Sequence, residues 1–212
     1  MPPIELFPSF LLTALACNLA PGPDLLGILS YGMSQGRRAG QGFAFGVGTG
    51  VLFHTALAVL GLSALIAASP VAFRIVLYAG ASYLIYLGAR ALTSRAKLEE
   101  LEQTDQQLPG GFWKSAGHGF LTNALNPKVA LFFLAFLPQF INPSGEVPQQ
   151  LLALGLVFWA MTTVLYITFG YFSGTIGEWL KRRASVGQWI DRIAGALFVG
   201  LGLHLLMAGH KP

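Results

Sequence analysis

From Ala39 to Phe73 the chain reads AGQGFAFGVGTGVLFHTALAVLGLSALIAASPVAF, without one Asp, Glu, Lys or Arg. A helix needs about 20 consecutive apolar residues to cross a bilayer, so this stretch holds at least one span. Val147 to Gly177 is free of the same four residue types. The composition agrees: 54% of residues are hydrophobic and 10% charged, with a mean hydropathy of +0.60, where a soluble domain carries about 25% charged residues. The sequence predicts an all-α integral membrane protein.

Charged residues and Pro or Gly punctuation divide the apolar sequence into six transmembrane helices, at about 6–35, 40–68, 71–93, 115–142, 149–174 and 187–208. The one long connector, about 94–112, carries Arg95, Lys97, Glu99, Glu100, Glu102 and Asp105. It reads as a solvated cytoplasmic linker between repeat 1 (about 6–93) and repeat 2 (about 113–208) of a single transmembrane transporter domain covering 1–212. If the Arg37-Arg38 turn is cytoplasmic, Arg90, Arg95, Lys97, Lys114, Lys181, Arg182, Arg183 and Arg192 fall on that side as well, against only Arg74 and Lys211 on the other. Lys and Arg accumulate on the cytoplasmic side of membrane proteins, so both termini are expected outside the cytoplasm. Topology thus explains the pI of about 9.4. The cations are scattered over three loops, and a nucleic-acid partner, which would need them clustered on one soluble face, is excluded.

Asp24 is the only acidic residue between Glu5 and Glu99, and it follows Pro21-Gly22-Pro23 inside an apolar stretch. Lys128 is the only Lys or Arg between Lys114 and Lys181, and it follows Asn126-Pro127. A charge at mid-bilayer costs about 2.5 to 3.5 kcal/mol unless a partner, a cavity or a ligand offsets it. A rise of 1.5 Å per residue puts Asp24 about 18 Å from the turn near Gly36, and Lys128 about 20 Å from Lys114. Both charges then lie near the midplane. Each proline removes a backbone donor and breaks the helix before it, leaving carbonyls and N–H groups that need partners within the bilayer. Asn18, Asn123 and Asn126 stand beside the breaks with amides that donate and accept.

The two breaks relate the halves of the chain. Asn18-Leu19-Ala20-Pro21-Gly22-Pro23-Asp24 matches Asn123-Ala124-Leu125-Asn126-Pro127-Lys128 loosely, and Ala79-Gly80-Ala81 matches Ala194-Gly195-Ala196. Three spans per half is an odd number, so the halves lie inverted in the membrane, an architecture of secondary transporters. Asp24 would start the second half of helix 1, where the helix dipole favours an anion. Lys128 would start the second half of helix 4, where a cation is disfavoured by up to about 1 kcal/mol. Lys128 therefore wants an anion, either Asp24 or the carboxylate of a bound solute. A zwitterion such as an amino acid would suit a site with both charges, while a buried structural ion pair remains the plain alternative.

Other residues carry less. His54 shares a face with Gly46 and Gly50, as a second proton carrier or, on the simpler reading, a hydrogen-bonded packing histidine beside the close-packing series Gly42, Gly46, Gly50. His118 and His204 lack a second ligand at helical spacing, so no metal and no cofactor is expected. Trp159, Tyr83 and Tyr166 can line a cavity or pack; Trp113 and Trp179 fit interface anchors. Cys17, the single cysteine, excludes an intramolecular disulfide and reads as an apolar packing residue. Residues 1–16 lack Lys and Arg, so no secretory leader is expected, and Ala14 stands where a lipidation signal would have Leu. No hydroxyl nucleophile has an adjacent base, so an enzyme is not expected. A passive channel or other small-solute permease is the alternative function, and homo-oligomerisation is left open.

Pro21-Gly22-Pro23-Asp24, Asn126-Pro127-Lys128 with the following Phe132-Phe133, and Pro138-Gln139-Phe140 resemble the LysE/RhtB family of amino-acid exporters over essentially the whole chain. Trp189-Ile190-Asp191, Ala194-Gly195-Ala196-Leu197-Phe198 and Gly202 with His204 look most like its threonine/homoserine branch. The resemblance implies export of amino acids across the bacterial inner membrane by proton antiport, with lipid, protons and a small amino acid as the partners.

Overall fold

In a computed structural model the structure describes residues 2–20, 22–93, 110–142, 144–182 and 184–208. Pro21, most of the predicted linker (94–109), Arg183 and Lys211 lie outside them. The described residues form helices and turns alone. A 3-10 turn (Ile4–Leu6) leads into α1 (Phe7–Leu19), which meets α2 (Pro23–Gln35) at a 51° bend. Gly36, at φ +84°, turns the chain into α3 (Arg37–Leu57), a conformation that costs glycine little. A π-helical turn (Ala58–Leu62) and α4 (Ser63–Ala68) continue α3. Ser69 is extended, as a residue before proline should be. Its Oγ accepts from the Ala72 N–H at 3.2 Å and so caps α5 (Pro70–Thr93).

The second half begins with α6 (Phe112–Ala124) and α7 (Pro127–Leu131), which runs through a π turn (Phe132–Phe136) into a 3-10 turn (Leu137–Phe140), the whole bent by 48° at the break. Then come α8 (Val147–Tyr171), α9 (Ser173–Arg182) and α10 (Ala184–Ala208). Both expected proline breaks are therefore present. The element the sequence reading missed is α9. The helix expected as the fifth span ends at Tyr171 and a separate short helix follows, packing on α2 where Gly32 faces Ser173 and Gly177 faces Met33.

Three helical stretches, Arg37–Ile66, Val71–Thr93 and Val147–Tyr171, are long and apolar enough to cross a membrane, and the two bent pairs bring the number to as many as five. Arg192–His204 is a shorter apolar stretch. The exterior matches: Leu60, Leu125, Val164 and Met207 stand exposed, an apolar surface suited to lipid. The interior buries Phe10, Phe133, Phe136, Phe158, Leu137, Leu151 and Leu154.

Small residues set the helix spacing, as in membrane bundles generally. On α3 a Cβ added at Gly42 or Gly46 would run into the carbonyl of Phe112 or Ala116 on α6, and one at Gly50 would come within 2.6 Å of the Asn123 amide oxygen. On its other face Gly40 meets Gly170 and Gly48 meets Thr163, both on α8. Helix α3 is thus clasped between α6 and α8. Helices α5 and α10 pair through Gly88 and Gly195, each facing the other's carbonyl. The similar words around Gly80 and Gly195 do not play equivalent parts, because Gly80 packs on Ala135 instead.

Candidate functional site

The two helix breaks meet, and each sends a charge to the other. Pro23 heads α2, so Asp24 lies in its first turn, where the partial positive charge of the helix end favours a carboxylate. The side chain is 1% exposed. Its Oδ2 accepts from the Asn123 amide at 3.0 Å and from the Asn126 amide at 2.9 Å. Asn126 is the N-cap of α7, and its Oδ1 accepts from the Lys128 backbone N–H at 3.0 Å. One amide therefore caps a helix with its oxygen and holds a carboxylate with its nitrogen. Flipping either amide would set oxygen against carboxylate, so the network fixes both orientations. The other carboxylate oxygen, Asp24 Oδ1, is buried without a hydrogen-bond partner, and so is Asn123 Oδ1.

Lys128 reaches the opposite way. Its Nζ donates to the Cys17 carbonyl at 3.1 Å and to the Ala20 carbonyl at 2.9 Å, at the C-terminal end of α1. Tyr166 on α8 donates its hydroxyl to the Asn18 carbonyl at 2.9 Å. Carbonyls freed by the first break are thus answered by a cation and a phenol. The expectation that Lys128 sits badly at the start of its own helix is corrected by this geometry. The side chain carries the charge to the negative end of another helix, where it is favoured. Nor is an ion pair with Asp24 seen among the described residues: two of the three ammonium N–H groups go to the carbonyls. Gly22 leaves room for this: a Cβ there would lie 3.2 Å from Nζ.

Asn18 is close in sequence to this network but does not join Asp24. Its amide donates to the Ala14 carbonyl at 2.9 Å, and its Oδ1 accepts from Thr162 at 2.9 Å. It fastens α1 to α8. His54 is 4% exposed. Its Nε2 donates to the Asn123 carbonyl at 3.0 Å, and its ring stacks on Phe133 at 5.8 Å between centroids. Asn123 therefore touches Asp24 with its side chain and His54 with its backbone. Phe132 and Phe133 pack on Phe158, at 4.6 and 5.5 Å between centroids, forming an apolar wall beside the second break.

Sequence reasoning named Asp24, Lys128, Asn18, Asn123, Asn126 and His54; hydrogen bonds link five of them to the two breaks, while the Asn18 side chain turns to Ala14 and Thr162. It missed Thr162 and the hydroxyl role of Tyr166. The signal was their spacing of four residues, which sets two hydroxyls on one face of an apolar helix. His118, unpaired in the sequence reading, bonds through Nδ1 to the Tyr31 hydroxyl at 2.9 Å, between α6 and α2.

Relatives cover nearly the whole chain. It is 30% identical over 191 residues to the uncharacterized membrane protein YrhP of Bacillus subtilis, covering 87% of this chain and 90% of that one. An uncharacterized membrane protein of Pseudomonas aeruginosa is 32% identical over 211 residues, 95% of each chain. The homoserine/homoserine lactone efflux protein of Salmonella typhimurium is 29% identical over 202 residues, 95% of this chain and 96% of that one. No solved structure shows a significant match. The family profile described as LysE type translocator matches residues 15–209. With its apolar helices, its two interlocked breaks and a match running almost end to end, this chain is a membrane protein of the LysE type translocator family.

Proposed function

We propose that the protein is a secondary active exporter of neutral amino acids, of which threonine and homoserine are the leading candidates, and that it works by proton antiport. The observation that carries the reading is Asp24: a carboxylate buried at the junction of two broken helices, held by two neutral amides on one oxygen and by nothing on the other. A buried acceptor without a donor is destabilising, and a proton or a cationic group would answer it. The Salmonella relative is called a homoserine/homoserine lactone efflux protein, which supports the solute class.

Six spans in two inverted repeats, with both termini periplasmic, supply the frame. Asp24 and Lys128 stand at corresponding points of the two breaks: Lys128 answers the carbonyls at the end of α1, and Asp24 accepts from the two asparagine side chains at the second break. In the cycle Asp24 loses its proton toward the cytoplasm and takes the solute's ammonium. The halves rock about the breaks, and a proton arriving from the periplasm displaces the solute. Lys128 keeps the end of α1 closed throughout.

Inverted vesicles test this with labelled threonine, homoserine and leucine as competitors, and a protonophore. Uptake should be sensitive to the protonophore and lost in Asp24→Asn. Proton-driven uptake that survives in that variant would refute the role of Asp24.

A further inference from the structure

A cavity of about 520 Å³ opens where α3 and α6 begin, lined by Arg37, Arg38, Gln41, Phe112 and Trp113. The length of α2 separates it from Asp24, about 18 Å at 1.5 Å per residue, and the network at the breaks makes no use of it. We infer that this cavity binds the phosphate headgroup of an anionic phospholipid, with the two arginines as its ligands. None of the lining residues is acidic, and two carry guanidinium groups. Arg37 is held in place: its guanidinium lies 5.2 Å from the centre of the Tyr171 ring and donates to the Tyr171 hydroxyl at 3.3 Å. A guanidinium presents a planar fork of N–H donors that matches phosphate oxygens, and the Tyr171 bond uses only part of it. The start of α3 has no side-chain cap, so the positive end of that helix adds to the charge of both arginines.

The surroundings of the cavity mark the anion as a lipid. Arg37 begins the apolar stretch Arg37–Ile66, so the cavity stands at the level where headgroups meet hydrocarbon. Trp113 is 76% exposed, and its ring meets those of Phe45 and Phe112 edge-on at 6.2 and 5.1 Å between centroids, as suits an aromatic anchor at a membrane surface. From there an exposed lane runs along both helices. Phe45, Thr49 and Phe53 on α3, and Trp113, Gly117 and Leu121 on α6, are exposed at four-residue spacing, which keeps each set on one helix face. A Cβ at Gly117 would meet nothing within 4 Å, so the lane is open at its middle. An acyl chain would cover this lane while its phosphate met the arginines; a soluble anion would leave the lane bare. In the topology proposed above, the lipid comes from the cytoplasmic leaflet, whose surface is negatively charged.

The test reconstitutes the purified full-length protein in phosphatidylcholine vesicles holding a small fraction of brominated phosphatidylglycerol or, in parallel, of brominated phosphatidylcholine. Bromine quenches a tryptophan that it touches, so tryptophan fluorescence reports the bound lipid. Phosphatidylglycerol should bind about tenfold more tightly than phosphatidylcholine, and Trp113→Phe should remove the extra quenching. Arg38→Gln should cut the preference severalfold, and the double variant with Arg37→Gln should bring it to parity. Arg90→Gln, which changes a cation outside the cavity, should leave the preference intact, and the melting temperature of each variant checks that it folds. Equal quenching by the two lipids in the wild type, or an equal loss in Arg90→Gln, would overturn the site. Loss of the preference on adding soluble glycerol phosphate would overturn it too, in favour of a free anion. None of these outcomes touches the export reading, since no transport is measured.

Discussion

Asp24 and Lys128 stand out in the sequence because a lone charge in an apolar span is costly, by about 2.5 to 3.5 kcal/mol. What the sequence could not reveal is whom they meet. Each side chain crosses to the other break, and reach of that kind is tertiary. Opposite charges at similar depth left Asp24 or a solute carboxylate as the partner of Lys128, yet its ammonium goes to the Cys17 and Ala20 carbonyls at the end of α1, and two asparagine amides serve Asp24. Asn126 has two tasks that substitution can separate. Asn126→Ala should lower stability by about 1 kcal/mol through loss of the cap, read as a lower melting temperature of purified protein. Asn126→Ser should restore the cap and only that share of the melting temperature, because Asp24 still lacks a donor. Neither variant restores the amide donated to Asp24, so transport should stay impaired in both. Full transport by Asn126→Ser would confine Asn126 to capping.

At the scale of elements, the breaks were legible because proline leaves no alternative: Pro23 and Pro127 each occupy the first turn of a new helix, bending their spans by 51° and 48°. The Gly42, Gly46, Gly50 series was legible as a packing face, and α3 indeed lays it on α6. The π turns at Ala58–Leu62 and Phe132–Phe136 left no mark in composition, because an added backbone residue per turn alters no side-chain pattern strongly enough to be read. The separation of α9 from α8 was hidden for a related reason, since apolar residues run on across Tyr171 and Phe172. Gly46 tests the packing face. A Cβ there meets the Ala116 backbone, which cannot yield as a flexible side chain would. Gly46→Val should therefore destabilise the detergent-solubilised protein by about 1 to 3 kcal/mol. Gly61, where a Cβ meets nothing within 4 Å, should accept the same change with an almost unaltered melting temperature.

Over the whole molecule, apolar residues fill the core and also cover much of the exterior, while amides, a lysine and hydroxyls gather at the breaks; the apolar composition foretold the exterior. Family membership was legible in two short motifs because both lie at the breaks where the halves interlock. The proposed orientation rests on the distribution of Lys and Arg, and cysteine labelling can test it because Cys17 is buried. Arg38→Cys and Lys114→Cys should react with a membrane-impermeant maleimide only in inverted vesicles, and Arg74→Cys only in intact cells; the reverse pattern would invert the proposed topology. The central claim is that Asp24 exchanges a proton for the solute, and proton movement driven by solute alone tests it most directly. In liposomes holding the purified protein and an internal pH dye, an inward gradient of threonine or homoserine should drive protons out and make the interior alkaline, and Asp24→Asn should abolish that response. An equal response from Asp24→Asn, or solute entry through the wild type with no change in internal pH, would contradict the account.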